Sequence, residues 1–342
     1  EGVTDGPAHP PRLFDYYDDE RIPCEDLEEA PQGADERLGN DLLRASASYL
    51  SRVVEDPSTE LLERYAVIAE DADLLAASVA IDAIGRAASP EAVDLLLELY
   101  DRVSSADLRA AVIRALGRAG SEEAVPRLTS IASDEFAESS LRQYAAEALG
   151  RIGSPDSLGL LTELLATDDS LLRAYATYGL GFYENEEAAA LLEQALRDSF
   201  WRVRVSALEA LGEHGRAEAV PAIAYKARRD PERPVREEAI RALASIGTTE
   251  SLAVLRELAA DEGLGEPERI IVVEELAETD AGETVEVFAQ IIQEEWERDG
   301  SKLLDAIGRI VSENATSAYG PLYEKLLERS EEHTSELQSL LI

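Results

Sequence analysis

The sequence contains few of the residues on which disulfides, metal sites and membrane segments depend. Its 342 residues include one Cys, three His and no Met, and aromatic residues make up 6%. Because Cys24 is the single cysteine, the chain can form neither an internal disulfide nor a cysteine-based metal site. No stretch of about 18 apolar residues occurs, so no segment is predicted to span a membrane. A reduced cytoplasmic location is therefore expected, and no secretory signal is visible.

Positive charge is also scarce, and lysine is the scarcer of the two basic residues. Asp and Glu number 71 against 32 Lys and Arg, which gives a net charge of −39. The lysines are Lys226, Lys302 and Lys325. Because nucleic-acid binding depends on Lys and Arg neutralising phosphates, this charge argues against a DNA- or RNA-binding protein.

Carboxylate excess with lysine depletion resembles the proteins of salt-accumulating haloarchaea. Molar salt removes the self-repulsion of such a chain because it shortens the Debye length to about 3 Å. The alternative is an ordinary acidic protein from a mesophile. The first interpretation predicts that folding depends on salt.

The sequence is rich in a repeated helical pattern. The tetrad Gly-Arg-Ala-Gly at Gly117 recurs as Gly-Arg-Ile-Gly at Gly150 and Gly-Glu-His-Gly at Gly212. We call the first position of this tetrad the marker. It recurs nine times at spacings of 31 to 34 residues, at Ser51, Gly85, Gly117, Gly150, Gly181, Gly212, Ala244, Ala277 and Gly308. So steady a period favours a stack of repeats over two ordinary globular domains.

Each repeat contains two helical patterns separated by turn residues. The first ends at the marker, as in Leu108–Leu116. A capping side chain followed by Pro or an acid then predicts the start of a second helix. The capping candidates include Asp56, Ser89, Ser121 and Ser154. Apolar residues 8, 11 and 14 positions after the marker, such as Val125, Leu128 and Ile131, predict one buried stripe on this second helix.

These residues carry a family resemblance. The pattern of Val or Leu with Arg, then Ala, Ala-Leu-Gly, Glu-Ala-Val-Pro, Leu and a closing Asp resembles the HEAT-like repeats of the phycobilisome-lyase type. The resemblance covers residues 41–328 and implies an all-α solenoid of about nine two-helix repeats. It also implies that the helices ending at the markers line a concave groove, which is the expected binding surface.

The two ends of the chain are treated apart from the repeats. Residues 1–40 are acidic and Pro-rich, and are predicted to be disordered or to cap the first repeat. Residues 329–342 are predicted to be an artefactual tail, because Arg329–Ser339 resembles a translated sequencing adapter. The natural chain is expected to continue past Glu328, and the absence of Met leaves its natural start open.

An arginine lies eight residues before the marker in six successive repeats, at Arg109, Arg142, Arg173, Arg204, Arg236 and Arg269. An Asp precedes each of them by four to eight residues. These arginines either bind an anion along the groove or join the turns between repeats, since a guanidinium can bond carboxylates and carbonyls together. We expect the second, a structural ladder.

Enzymatic function is the alternative that related repeats raise. Deoxyhypusine hydroxylases, which are built from similar repeats, hold two irons with His-Glu pairs, whereas none of His9, His214 and His333 is followed by Glu. The lyase resemblance implies attachment or removal of a bilin, but the repeat pattern supplies no group for that chemistry. The sequence therefore predicts no cofactor and no metal. It predicts a monomeric scaffold or adaptor that binds a protein or peptide, and neither nucleic acid nor membrane.

The partner site is predicted in the fourth to sixth repeats, where the sequence departs from its own pattern. Tyr144 and Tyr175 lie six residues before their markers, and Tyr178 and Phe182 follow Tyr175 on the same helix face. Gly179 replaces the usual Ala, which costs about 1 kcal/mol in a helix interior, and broken local rules often mark a working site. The patch is expected to extend through Tyr183, Phe200 and Trp201. The alternative is that these rings only fill gaps between irregular repeats.

Overall fold

The computed structural model describes residues 58–71, 74–279, 281–295, 301–313, 319–324 and 326–327. The predictions for the leader, for the adapter-like tail, for the first marker and for the cap at Asp56 lie outside the described residues. So do Cys24, His9 and His333.

The described ranges contain sixteen α-helices with defined bounds, a further helical stretch at 320–324 and no strand, which confirms the predicted all-α fold. The first eight are α1 Thr59–Asp71, α2 Leu74–Ala87, α3 Pro90–Arg102, α4 Ala106–Ala119, α5 Val125–Ser133, α6 Ser139–Ile152, α7 Pro155–Leu164 and α8 Ser170–Leu180. The others are α9 Glu186–Ala195, α10 Trp201–Glu213, α11 Val220–Arg229, α12 Arg233–Ile246, α13 Thr249–Ala260, α14 Glu266–Ala277, α15 Ala281–Glu294 and α16 Lys302–Glu313. Short 3₁₀ turns, Glu122–Ala124 and Ala217–Ala219, precede α5 and α11. None of the described helices is long and apolar enough to cross a membrane.

The even-numbered helices contain the markers or end beside them, and we call them the marker helices; the odd-numbered ones are the linking helices. The chain divides into two compact units, Glu1–Ala148 and Leu149–Ile342. In the first unit α2 packs on α4, and α1 and α3 pack on each other and on α2. In the second unit the successive marker helices from α8 to α16 pack side by side, and the linking helices α11, α13 and α15 form a second layer against them.

The two glycines of the tetrad have different structural roles. A Cβ added to Gly85 would lie 2.8 Å from the Cβ of Ala115, and one added to Gly212 would lie 2.8 Å from the Cα of Ala242. The marker glycine therefore lets the next marker helix approach, and its contact is the Ala two residues before the following marker. The second glycine ends the helix in the left-handed conformation, with φ from +61° to +70° at Gly120, Gly153, Gly215 and Gly247.

The caps and the buried stripe follow the sequence pattern with two exceptions. The Ser89 and Ser121 side chains accept hydrogen bonds from backbone N–H groups of the first turn, as predicted, whereas the Ser154 side chain makes no capping bond. On α5 the stripe of Val125, Leu128 and Ile131 is buried. On α7 and α13 the first stripe residue, Leu158 or Leu252, is only half-buried.

Candidate functional site

Apolar and aromatic side chains line one side of α8 and continue into the turn that follows it. Leu171, Tyr175 and Tyr178 follow one another at spacings of four and three residues, which places them on the same side of α8, and Phe182 follows Tyr178 by four residues in the turn after the helix. Leu171 and Tyr175 are half-buried, Tyr178 is 7% exposed and Phe182 is 38% exposed. We call these four residues the aromatic row. Leu171 was not predicted from the sequence, although it shares the spacing of the other three.

The rings of the aromatic row are held by one another and by an arginine from α6. Tyr178 and Phe182 meet edge to face, with centroids 5.4 Å apart and an interplanar angle of 87°. The Arg151 guanidinium lies 5.9 Å from the Tyr178 centroid and 5.4 Å from the Phe182 centroid. Its Nη2 also donates to the Tyr178 hydroxyl at 3.3 Å. Aromatic pairs and cation–π contacts contribute about 0.5–1 kcal/mol each. Tyr178 is itself buried, so its main role is to fix the position of Phe182.

The other predicted aromatic residues do not join this row. Tyr183 is 5% exposed, and its hydroxyl donates to the Ser154 carbonyl at 2.9 Å. Burial raises the pKa of the Tyr183 phenol. Tyr183 is thus an interior residue that offers no contact surface. Trp201 is half-buried at the start of α10, with the Arg202 guanidinium 5.2 Å from its ring centroid.

Two further residues complete the predicted set. Phe200 precedes α10, and its ring centroid lies 6.2 Å from that of Trp201. Tyr144 belongs to the first unit, where it is half-buried and the Arg114 guanidinium lies 5.2 Å from its ring centroid. The structure therefore brings together Tyr175, Tyr178 and Phe182 of the sequence-predicted residues.

Gly179 lies at a close approach of two helices, which gives it a packing role. A Cβ added to the marker Gly150 would collide with the backbone of Gly179, including its Cα and carbonyl oxygen. At the other close approaches the corresponding residue is Ala. Helices α6 and α8 therefore come closer here than an alanine at position 150 permits.

The six arginines of the repeated pattern all donate to the chain that precedes their own helix. Hydrogen bonds of 2.8–3.2 Å run to backbone carbonyls in the preceding turn or, for Arg142 and Arg269, at the end of the preceding linking helix. In the order of the arginines, the acceptors are Val103, Ala132, Thr167, Asp198, Asp230 and Ala259. Each arginine therefore fixes the chain that leads into its marker helix.

In the second unit these arginines also bind carboxylates of the following repeat. Arg173 binds both oxygens of Asp198, at 2.9 and 3.0 Å, and Arg204 binds both oxygens of Asp230, at 2.9 and 2.6 Å. In the same way Arg236 pairs with Glu268 and Arg269 with Glu295. Each such Asp thus offers its carboxylate to the arginine of the preceding repeat and its carbonyl to its own arginine.

The pKa values of these aspartates reflect the pairing. Burial alone would raise the pKa of Asp230, but hydrogen bonds from Arg204, the Glu232 N–H and Lys226 outweigh burial and hold the pKa below its usual range. The pKa of Asp198 is lowered in the same way, with burial opposed by Arg173 and the Phe200 N–H. These carboxylates stay ionised and are occupied in joining repeats.

Beyond α8, the same helix registers carry glutamates. Tyr178 lies three residues before its marker, and Phe182 lies one residue after it. At these two registers the repeat of α10 has Glu209 and Glu213, and the repeat of α14 has Glu274 and Glu278. On α12, Glu238 takes the register of Tyr175, and Glu275 lies beside Glu274 on α14. We call this set the glutamate rows, comprising Glu209, Glu213, Glu238, Glu274, Glu275 and Glu278. Only their register relates these acids to the aromatic row.

Burial and mutual repulsion both act on the glutamate rows. Burial raises the pKa of Glu238, and Glu213 and Glu237 add to the effect, while Arg241, 3.2 Å away, opposes it. Burial likewise raises the pKa of Glu275, with Glu238, Glu274 and Glu278 acting in the same direction against Arg241. The second unit therefore has an apolar row on α8 and a concentration of carboxylates on the marker helices that follow it.

The repeated helix pairs, the close approaches at the markers and the arginine contacts define a HEAT-repeat protein. The chain belongs to the family described as spirochaete HEAT repeat protein, whose sequence model matches residues 12–339. The HEAT-like resemblance predicted from the repeats is thereby confirmed. No curated protein sequence matches the chain.

Two solved structures illustrate the similarity. The CpcE–CpcF complex of phycocyanin lyase from Nostoc is 19% identical with a TM-score of 0.43, and the match covers 70% of this chain and 98% of that one. Human deoxyhypusine hydroxylase in complex with glycerol is 22% identical with a TM-score of 0.31, at the same coverages of 70% and 98%. In the part of this chain that the structure describes, no group of three or more His, Cys, Asp or Glu is placed to hold a metal ion.

Proposed function

We propose that this protein is a non-catalytic scaffold or adaptor that binds another protein or peptide on the exposed side of its marker helices in the second unit. The observation that carries the proposal is the aromatic row, in which Phe182 is 38% exposed beside the half-buried Tyr175 and Leu171. Aromatic side chains held in place before binding are common anchors of protein interfaces.

Phe182 differs in its surroundings from Tyr225, another exposed aromatic residue of this unit. Tyr225 is 63% exposed on the linking helix α11, where no neighbouring row of rings accompanies it. Single exposed apolar side chains are ordinary on protein surfaces, whereas a contiguous row is a feature of binding sites. Phe182 continues a row that Tyr178 and Arg151 hold rigid.

The arginine contacts favour a structural role for the six repeated arginines. The guanidinium of Arg204 is 7% exposed and binds Asp230 through two nitrogens and the Asp198 and Ser199 carbonyls through the third. Four of the five N–H donors of this buried guanidinium are thus occupied by protein oxygens, which disfavours binding of an external anion. We propose that the ladder keeps the marker helices in fixed register so that their exposed side forms one surface.

Site-specific cross-linking tests this function. A photoreactive benzoyl-phenylalanine replaces Phe182 in one variant and Tyr225 in a matched control, and both full-length proteins are irradiated in cells that express them. A discrete adduct that forms at position 182 and not at position 225, and that is lost with an added Tyr175→Ala change, supports the proposal. Absence of an adduct at 182, or equal adducts at both positions, contradicts it.

The alternative is a modifying enzyme of the bilin-lyase or deoxyhypusine-hydroxylase kind. A lyase would acquire visible absorbance when co-expressed with a bilin, and a hydroxylase would retain stoichiometric iron after dialysis. Absorption spectroscopy and elemental analysis of the purified chain separate both activities from the scaffold role, for which neither signal is expected.

A further inference from the structure

We infer that the docking segment of the partner is basic: a peptide whose apolar side chain contacts the aromatic row and whose arginine or lysine residues lie over the glutamate rows. The inference rests on the proposed function and names the chemistry of the partner at that site. It depends on the placement of two kinds of surface side by side on adjacent helices.

The first step is geometric. Helix α8 packs on α10, α10 on α12, and α12 on α14, so equivalent registers of these helices lie next to one another. Along this series the register of Phe182 is occupied by Glu213, then Ser245, then Glu278, all exposed. A segment that crosses these helices from Phe182 therefore meets one apolar contact followed by carboxylates.

The second step is electrostatic. The side chains of Glu238 and Arg241 are 21% and 34% exposed, so they are partly withdrawn from water and remain reachable by a partner. Arg309 pairs with Glu274 and Arg233 with Glu237, but the two arginines of these pairs are more than half exposed. Exposed pairs contribute only about 0–1 kcal/mol, so a cation from a partner can replace or join them. A partner cation near Glu238 and Glu275 would add a second positive charge beside Arg241.

The third step excludes other occupants by charge. Residues 1–40 contain 12 Asp and Glu against 3 Arg, so the leader of this chain is repelled by the glutamate rows. A second copy of the chain carries the same net charge of −39. Nucleic acid is repelled in the same way. A basic peptide satisfies the charge of the glutamate rows, and an apolar residue within it satisfies the aromatic row.

The test must distinguish binding at this surface from the general attraction between a cationic peptide and an acidic protein. The probe is a fluorescent peptide with four arginines flanking a Leu-Leu pair, and its counterpart carries glutamates in place of the arginines. The site variant changes Glu213, Glu238 and Glu275 to Gln. The control variant changes Glu187, Glu193 and Glu286, exposed residues of linking helices, to Gln, and so removes the same charge.

Binding is measured by fluorescence anisotropy with the full chain, at one KCl concentration where circular dichroism shows equal helix content for all proteins. We expect the arginine peptide to bind about tenfold more weakly to the site variant, and less than twofold more weakly to the control. Equal weakening in both variants, or tight binding of the glutamate peptide, overturns the inference. Gln keeps the size of Glu, and burial disfavours the charged form of Glu238 and Glu275, so folding is expected to survive.

The same variants distinguish this inference from the function on which it rests. If a partner is still cross-linked at position 182 in the site variant and binds it undiminished, the scaffold role stands and the basic character of the partner is wrong. If no partner is cross-linked in any variant, the scaffold role itself is contradicted.

Discussion

Asp230 offers the sharpest test of how the repeats are held together. It lies between α11 and α12 with its side chain 1% exposed. Its carboxylate accepts hydrogen bonds from Arg204 at 2.6 and 2.9 Å, from Lys226 at 3.1 Å and from the Glu232 N–H at 3.1 Å. Two cations from different helices therefore depend on one buried anion.

Asp230→Asn keeps an oxygen for the Glu232 N–H but removes the charge. Arg204, whose side chain is 7% exposed, then keeps its positive charge without a counter-ion. Removing one partner of a buried ion pair costs about 3–5 kcal/mol. The control is Glu257→Gln, which removes the pair between Arg228 and Glu257; these side chains are 28% and 70% exposed, so the expected cost is about 0–1 kcal/mol.

Hydrogen exchange of the α10, α11 and α12 amides is the appropriate assay, because it reports the local opening of the helices that Asp230 joins. A loss of about 3 kcal/mol corresponds to roughly a hundredfold faster exchange, whereas the control should change it less than about fivefold. If amide exchange in the Asp230→Asn protein is accelerated no more than in the control, the reasoning is refuted.

The pH dependence of this effect has a defined sign. The pKa of Asp230 is lowered in the folded state, so its stabilisation is present above the unfolded pKa of about 3.9 and is lost as pH falls through the folded pKa. The difference in urea midpoint between wild type and Asp230→Asn should therefore be full at pH 7 and shrink below about pH 4. A difference that stays constant down to pH 2 contradicts the assigned ion pair.

Further predictions concern backbone strain, buried charge, helix approach and salt. Ala88 has φ +49°, so Ala88→Gly should stabilise the first unit by up to about 1 kcal/mol, measured by urea denaturation. The pKa of Glu238 is raised, so Glu238→Gln should raise the melting temperature at pH 7, and the gain should vanish below about pH 4.3, where the unfolded carboxyl is also protonated. Gly150→Ala should destabilise the protein by about 1–3 kcal/mol, because the added Cβ overpacks against Gly179. The control Gly159→Ala should stabilise it by up to about 1 kcal/mol, since nothing lies within 4 Å of the added Cβ. Reversed signs would contradict the close approach. Helix content and melting temperature should be lower at 0.1 M than at 3 M KCl, and equal values by circular dichroism would contradict a halophilic chain.

The fold could be predicted from the repeat period, because each marker corresponds to a local structural requirement of its helix. A glycine allows two helices to approach at five of the markers, and a glycine with positive φ ends the helix at Gly120, Gly153, Gly215 and Gly247, so both features recur along the chain. The identity of the arginine partners was not predictable in the same way. The carboxylate of Asp198 pairs with Arg173 of the preceding repeat, 25 residues earlier, and only its carbonyl serves Arg204, six residues later. The short sequence separation suggested the contact of Asp198 with Arg204, but it gave no indication of the ion pair with Arg173.

The aromatic residues show where local spacing stops being informative. Tyr178, Phe182 and Tyr183 are within five residues of one another, yet Phe182 is 38% exposed while Tyr183 is 5% exposed. They lie where α8 ends in a turn, so helical spacing no longer fixes which way the chain faces. The hydrogen bond from the Tyr183 hydroxyl to the Ser154 carbonyl, 29 residues away, decides its burial. Interior and surface rings at a helix end are separated by long-range contacts of this kind, which one sequence does not reveal.

The glutamate rows, like the buried and exposed aromatic rings, could not be recognised from local sequence alone. In a chain of net charge −39, no single glutamate distinguishes itself by composition. Register does distinguish them, because residues at equal distances from successive markers become neighbours once the marker helices pack side by side. Comparing registers across repeats shows that the position of Phe182 becomes Glu213 and Glu278 on later helices. A repeat protein varies its surface at fixed registers while its markers and arginines keep the helices in place, so register is where the specificity of this protein for its partner is expected to lie.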